Sequence, residues 1–165
     1  MHDHAIDLIA AQDAGTEAAL LALNNAHAEE TSFLTIDAWR TLIEAAYAAT
    51  CIGGAAALLI AFDDQAVYDG VNFQWFRSRW KNFAYVDRVI VADSHRGRGV
   101  ARALYDELFR RMVASGHTTL TCEVNINPPN PGSDVFHARL GFNEVGRAEL
   151  PDRGKEVRYL VKDLT

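Results

Sequence analysis

Arg96-Gly97-Arg98-Gly99 combines two conformationally free positions with two permanent positive charges. These residues follow an apolar run, Phe83 to Val91, that reads as a strand, and precede an amphipathic run, Val100 to Ala114, that reads as a helix. A strand, a glycine-bearing turn and a helix N-terminus together make an anion site. The glycines let the backbone approach a ligand closely, the turn's N–H groups have no partners of their own, and the helix dipole presents its positive end. The chemistry this allows is capture of the pyrophosphate of a nucleotide-like cofactor. A second set lies downstream. In the run Thr118 to Asn125, Leu120, Cys122 and Val124 share one face, while Thr121, Glu123 and Asn125 share the other. A polar face is unexpected on a strand covered on both sides unless it borders a cleft, and there Glu123 would be a carboxylate able to handle protons.

The elements that position these residues follow from hydrophobic period and turn chemistry. Ile6 to Ala11 alternates as a short edge strand, and Asp13 caps a predicted helix to about Ala26 with Ala18, Leu21 and Ala22 on one face. A polar stretch carrying Asn24, Asn25, His27 and Glu29 follows, then a second predicted helix over Ile36 to Ala49. Ala55 to Phe62 is continuously apolar, the pattern of a strand buried on both faces. Between Asp63 and Asn82 the pattern is mixed. Its aromatics, Tyr68, Phe73, Trp75, Phe76 and Trp80, suit a core cluster, a pocket wall or a dimer contact. From Phe83 the period sharpens. Val100, Leu104, Leu108 and Met112 make a core stripe at four-residue spacing, and Gly116 ends that helix. Beyond the strand Thr118 to Asn125, Pro128-Pro129-Asn130-Pro131-Gly132 breaks regular structure and Asp134 to Leu140 makes a short helix. Two strands near Phe142 to Leu150 and Glu156 to Leu164 flank a hairpin turn at Pro151-Asp152-Arg153-Gly154. The expected product is one mixed α/β domain over residues 1–165.

A chain of 165 residues is long enough for one core and short for two. Its formal charge of −6 argues against nucleic-acid and anionic-membrane partners and favours cationic acceptors. No apolar stretch approaches the roughly 20 residues of a membrane span, and Met1-His2-Asp3-His4-Ala5 lacks the basic head and apolar block of a signal peptide. Cys51 and Cys122 lie in strand-like runs, so buried free thiols in a cytoplasmic protein are expected rather than a disulfide. His2 and His4 have metal-like spacing at a free terminus, where disorder is the ordinary outcome, and no metal is expected.

Three patterns compete for the glycine turn. A nucleoside-triphosphatase loop requires a lysine and a Ser/Thr that are absent here. A dinucleotide fingerprint counted from Gly97 ends on Arg102, too large for close helix–strand packing. The third, Arg/Gln-x-x-Gly-x-Gly/Ala, is met at every position by Arg96-Gly97-Arg98-Gly99-Val100-Ala101. Here the chain resembles the GNAT superfamily of acyl-CoA-dependent N-acetyltransferases. Asn130-Pro131-Gly132-Ser133-Asp134-Val135-Phe136-His137-Ala138-Arg139-Leu140-Gly141-Phe142 is similar to a second segment of that family, with His137 where tyrosine is usual. The Pro128-Pro129-Asn130-Pro131 run with Phe136-His137 also resembles a small subgroup of predicted acetyltransferases. The detailed resemblance covers about residues 83 to 145.

The resemblance implies a mixed, mostly antiparallel sheet flanked by helices, with a parallel strand pair splayed at the acyl-CoA site. It implies acetyl-CoA as co-substrate, a small-molecule or peptide amine as acceptor, direct attack in a ternary complex, and the option of a homodimer. Backbone N–H groups of Arg96, Gly97, Arg98, Gly99, Val100 and Ala101 would hold the pyrophosphate. Val89, Ile90 and Val91 would lie along the pantetheine arm, with the Val91 N–H a candidate to polarise the thioester carbonyl. Asn130 would bond the pantetheine region, while Ser133 and Phe136 would line the coenzyme's far side. Glu123 matches a glutamate that some members use as base, the alternative being a carboxylate paired with an arginine. Asp87 is a second candidate, on the face of Tyr85 and Val89 if alternation holds, its plain alternative an ion pair with Arg88. His137 would replace the usual tyrosine as general acid, or order a water or the coenzyme while Tyr85 takes that role. The polar stretch around His27 would border the acceptor. Cys122, facing the expected core, is a poor nucleophile. The competing reading is a coenzyme-A-binding sensor or regulatory module without catalysis.

Overall fold

The computed structural model describes residues 4–29 and 31–165, so His2 lies outside the described residues. Seven strands form one sheet: β1 (Ile6–Leu8), β2 (Ala48–Ile52), β3 (Ala57–Asp63), β4 (Phe83–Val91), β5 (Thr119–Asn127), β6 (Asn143–Leu150) and β7 (Lys155–Asp163). Their order across the sheet is β1-β2-β3-β4-β5-β7-β6, antiparallel throughout except for the parallel pair β4–β5. A parallel pair needs a crossover. Helix α4 (Val100–Ser115) supplies it, its stripe of Val100, Leu104, Leu108 and Met112 buried as the spacing predicts.

Both faces of the sheet are covered. Helix α4 and α5 (Pro131–Arg139) lie on one face, over Ala84, Val86, Leu120, Cys122 and Val124. The other face packs Leu58, Ile60, Phe62, Phe83 and Tyr85 against residues of α1 (Ala14–Ala26), α2 (Ile36–Ala45) and α3 (Val71–Arg77). The aromatics of α3 are chiefly core: Phe73 and Phe76 have no exposed surface, and Trp75 stacks on Tyr159 at 4.0 Å. Tyr68 stacks on Phe62 at 4.2 Å, and of the five aromatics it alone lines a described cavity.

Several boundaries differ from expectation for local reasons. Asp13 caps α1 by accepting from the Thr16 N–H at 2.8 Å, as predicted, but the buried face carries Leu20 and Asn24 rather than Ala18 and Ala22. The helix expected to reach Ala49 stops at Ala45, because Ala48–Ile52 pairs with β3 as strand β2. Helix α5 starts three residues before Asp134. Pro131 is tolerated at its first position, where no N–H is needed, and the Asn130 side chain caps it by accepting from the Ser133 N–H at 3.3 Å. Both cysteines are buried free thiols. Among the described residues no helix is long and apolar enough to cross a membrane.

Candidate active site

The parallel pairing of β4 with β5 extends only over Phe83–Thr119, Ala84–Leu120 and Tyr85–Thr121. Beyond Tyr85 the two strands part. The cause is visible on the other side of β4, where Ala61 pairs with Val86 but Ile60 pairs with Arg88, leaving Asp87 as the extra residue of a bulge. A bulge bends its strand and re-aims side chains. It also sets the phase of the remainder of β4. The Ala92 N–H donates to Ala56 O at 2.8 Å, so by antiparallel alternation Ile90 and Arg88 turn their backbone groups toward β3. Val89 and Val91 turn theirs the other way, toward the gap left by β5. Of the three residues expected along the pantetheine arm, Ile90 is therefore the exception. Its backbone is committed to β3 and its side chain packs in the opposite core.

Two cavities meet at this gap. One, of about 90 Å³, opens on the α1–α3 side and includes Tyr68, Asn72, Tyr85, Arg153 and Lys155. The other, of about 120 Å³, lies on the α4–α5 side and includes Val89, Tyr105, Asn130, Ser133 and His137. Thr31, Asp87, Arg88, Glu123 and Asn125 line both. The wall between the two sides is thus made chiefly of the polar residues that β4 and β5 expose where they separate, with Thr31 from the loop after α1.

Glu123 stands at that wall on the polar face of β5. Its Oε2 accepts from the Tyr85 hydroxyl at 2.7 Å. Burial pushes its carboxyl up to about 7, with the Asp87 charge adding to the rise, while the hydrogen bonds of Tyr85 and Asn72 hold it lower than burial alone would. A carboxyl that titrates near neutrality can both take and release a proton under ordinary conditions. Tyr85→Phe removes a donor to the charged form, so the acidic limb of any Glu123-dependent rate is expected to move to higher pH in that variant. A pH–rate profile of the two proteins checks this.

Asp87 is differently placed. The bulge breaks the alternation assumed for Tyr85, Asp87 and Val89: Tyr85 packs in the α1–α3 core while Val89 packs against the α4 side. Asp87 accepts from the Tyr68 hydroxyl and the Arg88 Nε, both at 2.7 Å. Arg88, 7% exposed, also donates to Asn24 Oδ1 at 2.7 Å. Asp87 therefore belongs to a buried ion pair, the plainer of its two expected readings, and it charges the site rather than offering a free carboxylate. Tyr85 is also corrected in placement. It lines the cavity on the α1–α3 side and donates to Glu123, away from the side occupied by His137.

His137 is 3% exposed, with Nδ1 2.8 Å from the Ser133 carbonyl oxygen and Nε2 2.8 Å from the Tyr105 hydroxyl. A carbonyl can only accept, so Nδ1 carries the proton and Nε2 accepts from Tyr105. Burial lowers the imidazole's affinity for a second proton. The single proton of His137 is thus turned into the protein, and the group it holds in place is the Tyr105 phenol. Tyr105 stands beside the stripe of α4 and was not among the residues the sequence singled out. The signal that could have found it is a phenol beside an apolar stripe, since a buried hydroxyl demands a polar partner. Asn72, buried on α3, was likewise hidden in the segment whose pattern is mixed; its Oδ1 accepts from the Tyr159 hydroxyl at 2.8 Å.

The glycine turn has the form its sequence implies. Gly97 and Gly99 both have φ +74°, a left-handed conformation that side-chain-bearing residues rarely adopt, and a Cβ at either would meet nothing within 4 Å. Among the described residues, no group accepts from the N–H groups of Gly97 to Ala101. Gly99 is the N-cap of α4 and brings no side chain to cap it. Arg96 and Arg98 are exposed, Arg96 within 3.2 Å of Asp93. The open turn, the uncapped helix end and the free strand edge of Val89 and Val91 fit a ligand that has a diphosphate at one end and an amide-bearing arm. Asn130, Ser133 and Phe136 stand opposite on α5 and its cap, with Phe136 edge-on to Tyr105 at 5.3 Å.

Other candidates fall outside. His27 bonds Leu23 O at 3.0 Å and faces Asp93, and it lines neither cavity at the gap. The polar stretch reaches the site instead through Thr31, Ser32 and, by way of Arg88, Asn24. His95 lines a third hollow beside the turn with His4, whose Nε2 lies 3.0 Å from Arg98 O. The Cys122 thiol is pushed far up by burial and points into the α4 core, so it stays protonated.

Comparison with known proteins bears on this arrangement. Residues 16–142 match the model of the acetyltransferase (GNAT) family. No curated protein matches in sequence. Among solved structures, the ribosomal-protein-S18-alanine N-acetyltransferase of Escherichia coli superposes with a TM-score of 0.70 at 19% identity, covering 99% of this chain and 95% of that one. The protein yncA from Salmonella typhimurium, solved with its cofactor acetyl-CoA, gives 0.69 at 17% identity, over 99% and 95%. A chain of the NatC complex bound to Gag peptide and CoA gives 0.72 at 14% identity, over 99% and 100%. The family match spans more than half of the chain and includes the glycine turn, the splayed strands and α5, and the protein belongs to the GNAT family of acetyltransferases.

Proposed function

We propose that this protein is an N-acetyltransferase that moves an acetyl group from acetyl-CoA to a primary amine by direct attack in a ternary complex, with residues 1–165 acting as one catalytic domain. The observation that carries the proposal is the pair of cavities meeting at the β4–β5 gap, with Glu123 on the wall between them. Acetyl-CoA supplies an activated acyl thioester. The N–H groups of Gly97 to Ala101 receive its pyrophosphate, the expected Arg96 N–H being given instead to Asp93 O, while Val89 and Val91 pair with its arm and Asn130, Ser133 and Phe136 line its other side. Glu123 takes a proton from the amine entering through the Tyr68 side. The N–H of Val89, which lines the cavity with Tyr105 and Glu123 where Val91 does not, donates to the acyl oxygen, where negative charge develops. Tyr105 gives its hydroxyl proton to the departing sulfur by turning that hydroxyl away from His137 Nε2, which holds the phenol in place until then.

His137 is accordingly a positioning residue, acting through Tyr105. Replacing it with phenylalanine is expected to lower kcat by about tenfold or more, within the range of a positioned acid, and to leave coenzyme affinity nearly unchanged. Tyr105→Phe should match it, and the double variant should be no worse than either single one. The reading as a whole is tested by following acetyl-CoA consumption over a panel of amines while calorimetry measures coenzyme binding. Tight binding without turnover on any amine would make the protein a coenzyme sensor and overturn the proposal.

A further inference from the structure

The cavity on the α1–α3 side is polar over most of its wall and small. Its apolar members are few: Val71, Leu150 and Val157. A volume of about 90 Å³ is well below that of most sites for drug-sized ligands, roughly 300–1,000 Å³, and holds a compact head group rather than a broad apolar body. Its charges are also unlike those of the whole chain. The protein carries a formal −6, yet this wall holds Arg88, Arg153 and Lys155 against Asp87 and Glu123. Arg88 and Asp87 neutralise one another at 2.7 Å, and both are buried at the gap. Glu123 is then left with two cations.

Those two come from one place, the turn between β6 and β7. Gly154, at φ +61°, reverses the chain there, and Arg153 and Lys155 flank it. Lys155 Nζ donates to the Glu29 backbone carbonyl, which ties the hairpin to the loop after α1 and still leaves two of its three donors. Arg153 has no hydrogen-bond or ion-pair partner among the described residues. A planar guanidinium without a partner and a half-engaged ammonium are a receptor for an anion. Across the same cavity, Glu123 serves an amine.

Resting on the acetyl-transfer reading above, we infer that the acceptor is a small zwitterionic amine, an amino-acid-like molecule whose carboxylate or phosphonate is gripped by Arg153 and Lys155 while its amino group meets Glu123. Transfer then forms the N–C bond to the acetyl group and breaks the C–S bond. The ammonium group loses two protons: Glu123 takes the first to free the lone pair and passes it to solvent, then takes the second as the amide forms, while the sulfur leaves with the Tyr105 proton, which solvent restores. The local charge thus reverses the preference for cationic acceptors that the chain total alone suggests.

The test compares matched probes at saturating acetyl-CoA: α-amino acids, their α-carboxamides, the corresponding aminophosphonates, and diamines. The wild-type protein is expected to use the carboxylates or phosphonates at least about tenfold better in kcat/KM than the carboxamides. Whichever anion is preferred identifies the source. Arg153→Ala should raise KM for the anionic probes about tenfold with kcat little changed, and leave the carboxamides unaffected. Carboxamides, diamines or peptide N-termini used as well as the anionic probes would overturn the inference. A parallel calorimetric titration of the same probes into the coenzyme-A-bound protein separates the two claims. Selective binding of the anionic probes without turnover upholds the acceptor class while the acetyl-transfer reading falls, and equal binding of amino acids and carboxamides sinks the acceptor class whatever the turnover.

Discussion

Glu123→Gln is expected to lower kcat/KM by about 10²- to 10⁴-fold, the range of a single positioned base, and to abolish the acidic limb of the pH–rate profile. The sign follows from the raised pKa. Burial lifts the Glu123 carboxyl from 4.5 to about 7, so below that pH it holds a proton and cannot take another from the amine. Wild-type activity should therefore climb as pH rises through about 7, and the glutamine variant, with nothing to titrate there, should lack that rise. Stability should move the opposite way. A carboxyl whose folded pKa is raised contributes stability that is fully present below 4.5 and is lost as pH climbs through about 7. At pH 8 the wild-type protein carries an ionised, desolvated carboxylate, whereas the variant has a neutral amide that can still accept from the Tyr85 hydroxyl. Glu123→Gln should then be at least as stable as wild type at pH 8 and should lose this advantage below about pH 4.5. Thermal unfolding across that window checks it. An inactive variant that is also less stable at pH 8 would mean that Glu123 holds the fold rather than the proton.

The residues most exposed to such tests were legible where one period dominates. The stripe of α4 and the two faces of β5 each follow a single repeat and lie where the pattern puts them, and β4 was legible as an apolar run though not in its phase beyond Val86. The glycine turn was legible because its left-handed positions are a property of glycine itself. What escaped depends on partners far along the chain. The bulge at Asp87 is created by its register against Ile60 and Ala61, so no local pattern announces it, and it reverses which side Val89 faces. Tyr105 satisfies the same spacing as a core residue, and its hydroxyl gains meaning only when α5 brings His137 to 2.8 Å. Strand β2 was hidden by alanines, which favour helix in isolation yet suit a fully covered strand beside β3. Arg153 was visible as a turn residue. Its place at the cavity mouth comes from the pairing of β7 with β5, which carries the hairpin across to the gap.

The glycine turn permits an internally controlled test, because α4 has a left-handed glycine at each end. Gly99 begins the helix at φ +74° and Gly116 ends it at φ +79°, and a Cβ at either meets nothing within 4 Å. Valine at either position therefore carries a similar backbone penalty, roughly 1–2 kcal/mol, with open space around its Cβ. Denaturant midpoints of Gly99→Val and Gly116→Val should fall by similar amounts. Their effects on coenzyme should differ. At Gly99 the added side chain occupies the space in front of the N–H groups of Gly99, Val100 and Ala101, where a pyrophosphate would be received. Losing one charge-assisted hydrogen bond there costs about 1.5–3 kcal/mol, so coenzyme A affinity should drop about ten- to hundredfold. Gly116 lies a helix length of about 24 Å away, and its variant should bind coenzyme as wild type does. Equal affinities for the two variants would remove the turn from the binding site, because strain is common to both and only the position relative to the ligand distinguishes them.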